Sequence, residues 1–345
     1  MAGSGIYNAH SQPQRAAAGR GLELLLRAAR LAEPGEGPFF LADYGSAEGR
    51  NSLAPMRAAI GELRRRHRGP ITVVHLDRPR NDFSSLFELL RADPESYLGA
   101  DEDVFALASG GSFFEQMLPD GQGSLGWSSI ALHWLSSVPA DACRHFWPSK
   151  LSGLAREPFA RRAALDWQAF LAHRSRELRP GGRLVAVVPS VQSDGLSSLA
   201  ELARRMSEAL EAMARTGLLT THELARMIVP TYNRSLDELR APFTDPKLGL
   251  VLEELDSSRT PDPIWDAFRR TGDRAALADG YAGFVRAAFA PTLAEFLDAG
   301  CPEERRRAFI EEFVTALRQS AVAEPAMLCS PMVATMLIAK PRGGL

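Results

Sequence analysis

The chain has 345 residues, 45% apolar and 24% charged, the profile of a soluble globular protein long enough for one large domain or a core with an added lobe. Its longest apolar runs, at 184 to 188 and 333 to 339, fall short of the roughly 18 to 20 residues that cross a bilayer, so they read as buried strands and no membrane partner is expected. Forty basic against 42 acidic side chains leave a formal charge of −2, without the broad positive field that sequence-independent nucleic-acid binding needs, and nucleic acid is not expected as a partner.

The N-terminus lacks a charged start followed by an apolar stretch, so no secretory signal is read and a cytoplasmic location is expected. Residues 15 to 32 space Leu22, Leu25, Leu26 and Ala29 at helical intervals, and Pro34 with Gly35 ends the run. "FFLADYG" reads as the first strand. A helix over about 52 to 66 finishes in Arg64, Arg65 and Arg66, which read as a solvated carboxyl end. Ile71 to Asp77 and Asp103 to Ser109 are rich in β-branched and apolar residues and read as further strands. A long helix over about 159 to 178 stops at "RPGGR", and "RLVAVVPS" follows as a buried strand. This alternation predicts a parallel sheet with helices on both faces, which binds ligands at its carboxyl edge. Beyond Pro189, residues 195 to 245 and 261 to 320 read as mostly helical. Within them Tyr281, Phe284, Val285 and Ala288 form a packing stripe.

The first strand ends in Asp43, Gly45 and Gly49, with Ala47 where a dinucleotide fingerprint has its middle glycine. Glycine there permits a tight turn and close approach to a ligand, whereas the carboxylate of Asp43 repels a pyrophosphate and suits a cation. S-adenosyl-L-methionine carries both an ammonium and a sulfonium. A structural strand-end turn explains the same residues. Asp77, at the tip of the second strand, can accept both hydroxyls of a ribose, or can cap a helix. Ser112 and Phe113 follow the next strand as a hydroxyl partner and a flat apolar face for adenine, or as ordinary core. Cys143, Cys301 and Cys329, odd in number and far apart, fit neither a disulfide framework nor a zinc site and read as reduced, inert thiols. Histidines 67, 75, 145, 173 and 222 show no metal-ligand spacing, and no metal is expected.

Five segments recur in one order: "YNAHSQPQ" at 7 to 14, "LADYGSAEGRN" at 41 to 51, "LDRPRNDFSSLF" at 76 to 87, "GGSFFEQMLP" at 110 to 119 and "WSSIALHWLSSVP" at 127 to 139. Together they resemble the SABATH family, the S-adenosylmethionine-dependent carboxyl methyltransferases typified by plant salicylate, benzoate and jasmonate methyltransferases and including xanthine N-methyltransferases. The ordered likeness covers about 7 to 190. It implies an α/β fold, a Rossmann-like class I methyltransferase sheet of seven strands with the last antiparallel, under a mainly helical cap. The implied division is a cofactor-binding core over 1–190, a cap over 191–246 and 258–325, and final strands over 247–257 and 326–345. A homodimer is implied as well.

The resemblance places Tyr7 and Ser11 over the methionine end of the cofactor, Asp43, Gly45 and Asn51 in the loop beneath it, Asp77 on the ribose, and Ser112 with Phe113 on the adenine. Gln14 and Trp134 match the side chains that grip a substrate carboxylate, and Ile130 and His133 fall on the substrate pocket. His10, Ala47, Glu48, Arg50 and Arg80 depart from the pattern near the cofactor. Ile130 and Trp127 depart from it at the acceptor wall, making that wall more apolar. The activity implied is O-methylation of a small aromatic or lipophilic, even fatty, carboxylic acid. Such an acid is already ionised at pH 7 and needs no general base, so His133 is read as a pocket-lining imidazole. N- or C-methylation on the same scaffold, or cofactor binding without catalysis, are the alternatives. A nicotinamide dehydrogenase suffers from the missing middle glycine.

Overall fold

The N-terminal stretch that reads as one helix is broken in the structure, a computed structural model that describes residues 5–33, 37–99, 103–139, 146–148, 151–191 and 199–342. Helices α1 (Ile6–His10) and α2 (Gln12–Ala18) precede a single tight turn at Gly19–Gly21, and α3 (Leu22–Leu31) follows it. Pro34, Gly35 and Cys143 lie outside the described residues. Strand β1 (Phe39–Tyr44), α4 (Arg50–Leu63), β2 (Ile71–Asp77), α5 (Phe83–Ala92) and β3 (Val104–Gly110) then alternate, as the β-branched runs predict. Every residue of β2 is buried, which suits a parallel strand covered on both faces. The basic run after α4 is more than a solvated end. Arg64 donates to the carbonyls of Gly69 at 2.6 Å and Asp103 at 2.9 Å, and Arg66 donates to that of Ala32 at 3.0 Å.

The next strand, β4 (Gly123–Ser129), has no apolar run to announce it, yet all of it except Ser129 is buried. Helix α6 (Glu157–Glu177) passes directly into β5 (Leu178–Pro189), so the "RPGG" that reads as a helix stop opens a strand instead. Helices α7 (Ala200–Arg215), α8 (Thr221–Arg226) and α9 (Leu236–Arg240) lead to β6 (Val251–Arg259). Helices α10 (Pro263–Thr271), α11 (Arg274–Ala288), α12 (Ala290–Ala294) and α13 (Glu303–Ala323) lead to β7 (Met332–Ala339).

The strands form one sheet in the order β3-β2-β1-β4-β5-β7-β6. Strands β1 to β5 pair in parallel, and β7 runs antiparallel to both β5 and β6, the mixed sheet with one reversed strand that was expected. The order reverses between β1 and β4, and at such a switch point a crevice opens outside the carboxyl ends of the strands. One apolar core, with Leu25, Met56 and Val73, packs α3 and α4 on one face of the sheet; another, with Phe170 and Leu171, packs α6 on the other. A third lies in the helical cap, where Met206, Leu210, Phe284, Val285, Phe313 and Leu317 join α7, α11 and α13. Full burial of each such side chain contributes roughly 1.5–3 kcal/mol.

One buried ion pair ties the loop after β3 to α6. Arg174 and Glu177 are both inaccessible to solvent and pair at 2.7 Å. Arg174 also donates to the carbonyls of Phe113 at 2.9 Å and Glu115 at 2.8 Å, and its guanidinium stacks 4.3 Å from the Tyr44 ring centroid. Glu177 accepts from the Tyr44 hydroxyl at 2.6 Å and from the Met117 and Leu118 amides at 2.5 and 3.1 Å. The backbone carrying Phe113 is therefore fixed from beneath. Arg174→Met leaves the Glu177 charge buried and unpaired, and is expected to lower the unfolding free energy by roughly 3–5 kcal/mol in urea titration. A loss below about 1 kcal/mol, the value of a solvent-exposed pair, would contradict this role.

Candidate active site

The loops that leave β1 and β4 meet at the mouth of the crevice. Gly45 has φ +86°, and a Cβ there would lie 2.4 Å from the Ala131 methyl carbon, so only glycine allows the two loops this close. Ala47 also adopts a left-handed conformation, with φ +51°. Its amide donates to Asp77 Oδ2 at 2.8 Å and its carbonyl accepts from Asn81 at 2.7 Å, which holds a conformation that costs roughly 1–3 kcal/mol. The other Asp77 oxygen accepts from the Arg78 amide at 2.7 Å. Burial raises the Asp77 carboxyl above its ordinary range, against the two backbone amides that lower it.

A cavity of about 620 Å³ fills the crevice between the sheet edge and the cap. Tyr7, Gly45, Asp77 and Phe113 line it, as do Gln14, Ile130, His133 and Trp134. Asp43 and Asn51 line a small recess that adjoins it, sharing Tyr7, Gln14 and Gly45 with the main cavity. Ser11 and Ser112 are on neither wall. Ser11 is fully buried and donates to Asn51 Oδ1 at 3.3 Å, while the Ser112 hydroxyl accepts from the Phe114 amide at 3.3 Å. Trp127, expected on the acceptor wall, is buried in mid-strand on β4 and borders the recess instead.

Trp134 is held where the core meets the cap. Residues 133–135 pair with 230–232: Tyr232 N–H donates to the His133 carbonyl at 2.8 Å, and Leu135 N–H to that of Pro230 at 2.9 Å. Ile130, just before this segment, has φ +53°, rare for a β-branched residue, and its amide donates to Val187 at 2.8 Å. Gln14 Oε1 and His133 Nδ1 are buried with no hydrogen-bond partner among the described residues. Burial, and then the nearby Arg234 charge, push the His133 imidazole down to about 3, so it is neutral at pH 7. Trp147, Phe284, Ala288 and Phe289 add apolar surface to the lining, Thr231 and Asn233 also contribute, and the exposed Glu295 stands among its lining residues.

Several participants carry no signal in the sequence pattern. Glu48 is buried, and its Oε2 accepts from the Asn8 amide at 3.1 Å, which ties α1 to the β1 loop. Burial raises the Glu48 carboxyl, and burial with the Asp77 and Glu48 charges raises the Tyr7 phenol, so Tyr7 keeps its proton. His10 packs against α11, where a Cβ on Gly283 would lie 2.2 Å from its Nδ1. Cys329 lines the cavity, its thiol pushed up by burial and then by the Asp262 charge; Cys301 lies beside Arg305. Among the described residues no group of three or more His, Cys, Asp or Glu could hold a metal ion, and no helix is long and apolar enough to cross a membrane.

A model of the SAM-dependent carboxyl methyltransferase family, SAM being S-adenosylmethionine, matches residues 2–330. The chain belongs to this family. Methyltransferase LUC1 of Fusarium sp is 32% identical to it over 247 residues, covering 70% of this chain and 65% of that protein. Probable 7-methylxanthine methyltransferase 3 of Theobroma cacao is 31% identical over 218 residues, covering 58% and 59%. The chain thus spans 65% and 59% of the lengths of these two curated relatives. Among solved structures, loganic acid methyltransferase with SAH matches with a TM-score of 0.78 at 18% identity, covering 99% of this chain and 98% of that one, a likeness of fold. S-adenosylmethionine is the cofactor on which this family depends.

The contact between Gly45 and Ala131 is open to test. Gly45→Ala combines an unfavourable φ with a collision, and is expected to weaken binding of S-adenosylhomocysteine roughly tenfold or more by calorimetry. Adding Ala131→Gly should recover part of the loss. Unchanged affinity in the single variant would mean that the loops need not touch.

Proposed function

We propose that this chain is an S-adenosylmethionine-dependent O-methyltransferase that forms the methyl ester of a small aromatic or lipophilic carboxylic acid, fatty acids included. The observation that carries the reading is that two uncharged N–H donors line the cavity, the Gln14 side-chain amide and the Trp134 indole, and neither donates to any described residue. An N–H donor shut away from water without an acceptor is costly, and a carboxylate that accepts from both removes the cost. The only guanidinium groups among the lining residues are those of Arg78 and Arg80, beyond Asp77.

The donor set suits the cofactor. Asp43 lines the recess with Oδ1 free of hydrogen bonds among the described residues, which suits an ammonium. Asp77 keeps lone pairs beyond its two backbone amides for ribose hydroxyls, and Phe113 offers a flat apolar face to a purine. Tyr7 and Asn51 would close the methionine end, with Ser11 acting through Asn51. When bound, the cofactor supplies a methyl group on a positively charged sulfur.

The residues of the acceptor wall then have three tasks. Gln14, through its amide N–H, and Trp134, through its indole N–H, orient a carboxylate without adding positive charge. A cation in their place would hold the electron density that must attack the methyl carbon. Trp147, Phe284 and Phe289 exclude water, which favours a step in which opposite charges vanish. Fixing the oxygen in line contributes up to roughly 7–11 kcal/mol in well-oriented systems. The orphaned His133 Nδ1 accepts from an acceptor that also carries a hydroxyl or N–H group.

Trp134→Phe keeps the ring and removes the indole N–H. A hydrogen bond to a charged group is worth roughly 1.5–3 kcal/mol, so kcat/KM for the acid should fall roughly 10- to 100-fold while affinity for S-adenosylhomocysteine stays within about twofold. Methyl-labelled cofactor offered with benzoate-like, indole-acetate-like and fatty acids should yield solvent-extractable labelled ester. No label in any ester would overturn the assignment. The second reading, N-methylation, draws on the xanthine methyltransferase relative and on His133 as a base. Because burial keeps the His133 imidazole neutral, kcat/KM for an acid should stay flat from pH 6 to 8 and fall only where the acceptor carboxyl takes up its proton. Methylation of a xanthine-like N–H acceptor that is lost in His133→Gln, with no labelled ester from any acid, would favour the second reading.

A further inference from the structure

Beneath the recess, Asp43 ends a buried chain of side chains that the acceptor chemistry does not use. Its carboxylate is 2% exposed, and Oδ2 accepts from the Ser52 hydroxyl at 2.5 Å and faces His75 Nδ1 at 2.9 Å. His75 is 0% exposed and stands beside Asp43 in the β1–β2 register. Its Nε2 lies 2.7 Å from the Tyr97 hydroxyl, with the two rings stacked at 6.1 Å. The Asp43 carboxylate can only accept, so Oδ2 takes its hydrogen bond from Nδ1–H. In that tautomer Nε2 accepts from the Tyr97 hydroxyl, whose proton burial and then the Asp43 charge hold in place.

We propose that His75 is a positioning residue for the amino-acid end of the cofactor. Braced at Nε2 by Tyr97, it fixes Asp43 Oδ2 and leaves Oδ1 as the free acceptor at the recess, where the ligand's ammonium would bind. The inference rests on the reading of the recess as the methionine end of the SAM site. Its physical basis is twofold. An Asp carboxyl turns about a broad, two-fold torsion, so donors concentrated on one oxygen decide which oxygen the ligand meets. A neutral imidazole satisfies the carboxylate without cancelling its charge, whereas an Arg or Lys at position 75 would neutralise Asp43 and repel an ammonium.

Two ligands separate this role from general support of the fold. S-adenosylhomocysteine has the amino-acid end, and 5′-methylthioadenosine shares the adenosine but lacks that end. Both are titrated calorimetrically into the wild-type chain, His75→Leu and His75→Asn, and the ratio of the two affinities is insensitive to the fraction of folded protein. His75→Leu is expected to weaken S-adenosylhomocysteine about tenfold or more while leaving 5′-methylthioadenosine within about twofold. His75→Asn, whose amide N–H replaces Nδ1–H, should recover S-adenosylhomocysteine to within about threefold of wild type. Equal losses for both ligands, no loss in His75→Leu, or no recovery in His75→Asn would overturn the proposal while the SAM site stands. A wild-type chain that binds neither ligand would overturn the reading of the cavity, and this inference with it.

Discussion

Two carboxylates, Asp43 and Asp77, are withdrawn from water at the tips of adjacent parallel strands, and among the described residues neither is ion-paired to Lys or Arg. Burying such groups is expensive unless their oxygens are filled. The chain fills them only in part, with Ser52 and His75 at Asp43, and the Ala47 and Arg78 amides at Asp77. What remains is negative charge and unused lone pairs facing a cavity, a constraint that a ligand with a cation and hydroxyl groups relieves. The left-handed Ala47 and the close contact between the β1 and β4 loops are arranged around this demand.

The acceptor side obeys the opposite logic. There the protein offers the uncharged N–H groups of Gln14 and Trp134, and an imidazole held neutral by burial and the nearby Arg234 charge. Backbone pairing between 133–135 and 230–232 joins the loop after β4 to the chain between α8 and α9, so both hold Trp134 in place. Phe284 belongs to the cap core and also lines the cavity. The stripe on α11 that reads as a packing face is therefore also a wall.

The positions of Asp43 and Asp77 are legible in the sequence because each lies at or one residue before the end of a run that reads as a buried strand. Strand β4 is not: its burial depends on small residues fitting between neighbours, and glycine and serine carry no periodicity. The break between α2 and α3 is hidden because the apolar spacing continues through it. The chain from Tyr97 through His75 to Asp43 is invisible for a different reason, since it joins a loop to two strands whose register no local pattern fixes. The motif resemblance supplies Gln14 and Trp134, which spacing alone does not. It misplaces Trp127, because a shared motif does not say which side of a strand faces the cavity. Nothing in the helical pattern marks Arg174 and Glu177, which the fold buries together.

Helix α1 forms part of the cavity wall through Tyr7 and rests on α11 through His10, whereas β7, running against β5, ends with Ala339 beside Arg183, at the edge of the sheet remote from the crevice. The two ends of the described chain are thus unequal as points of attachment. A fusion joined directly ahead of α1 would start from a helix that lines the binding chamber. One joined after β7 departs from the opposite side of the molecule, which makes the carboxyl end the place for immobilisation.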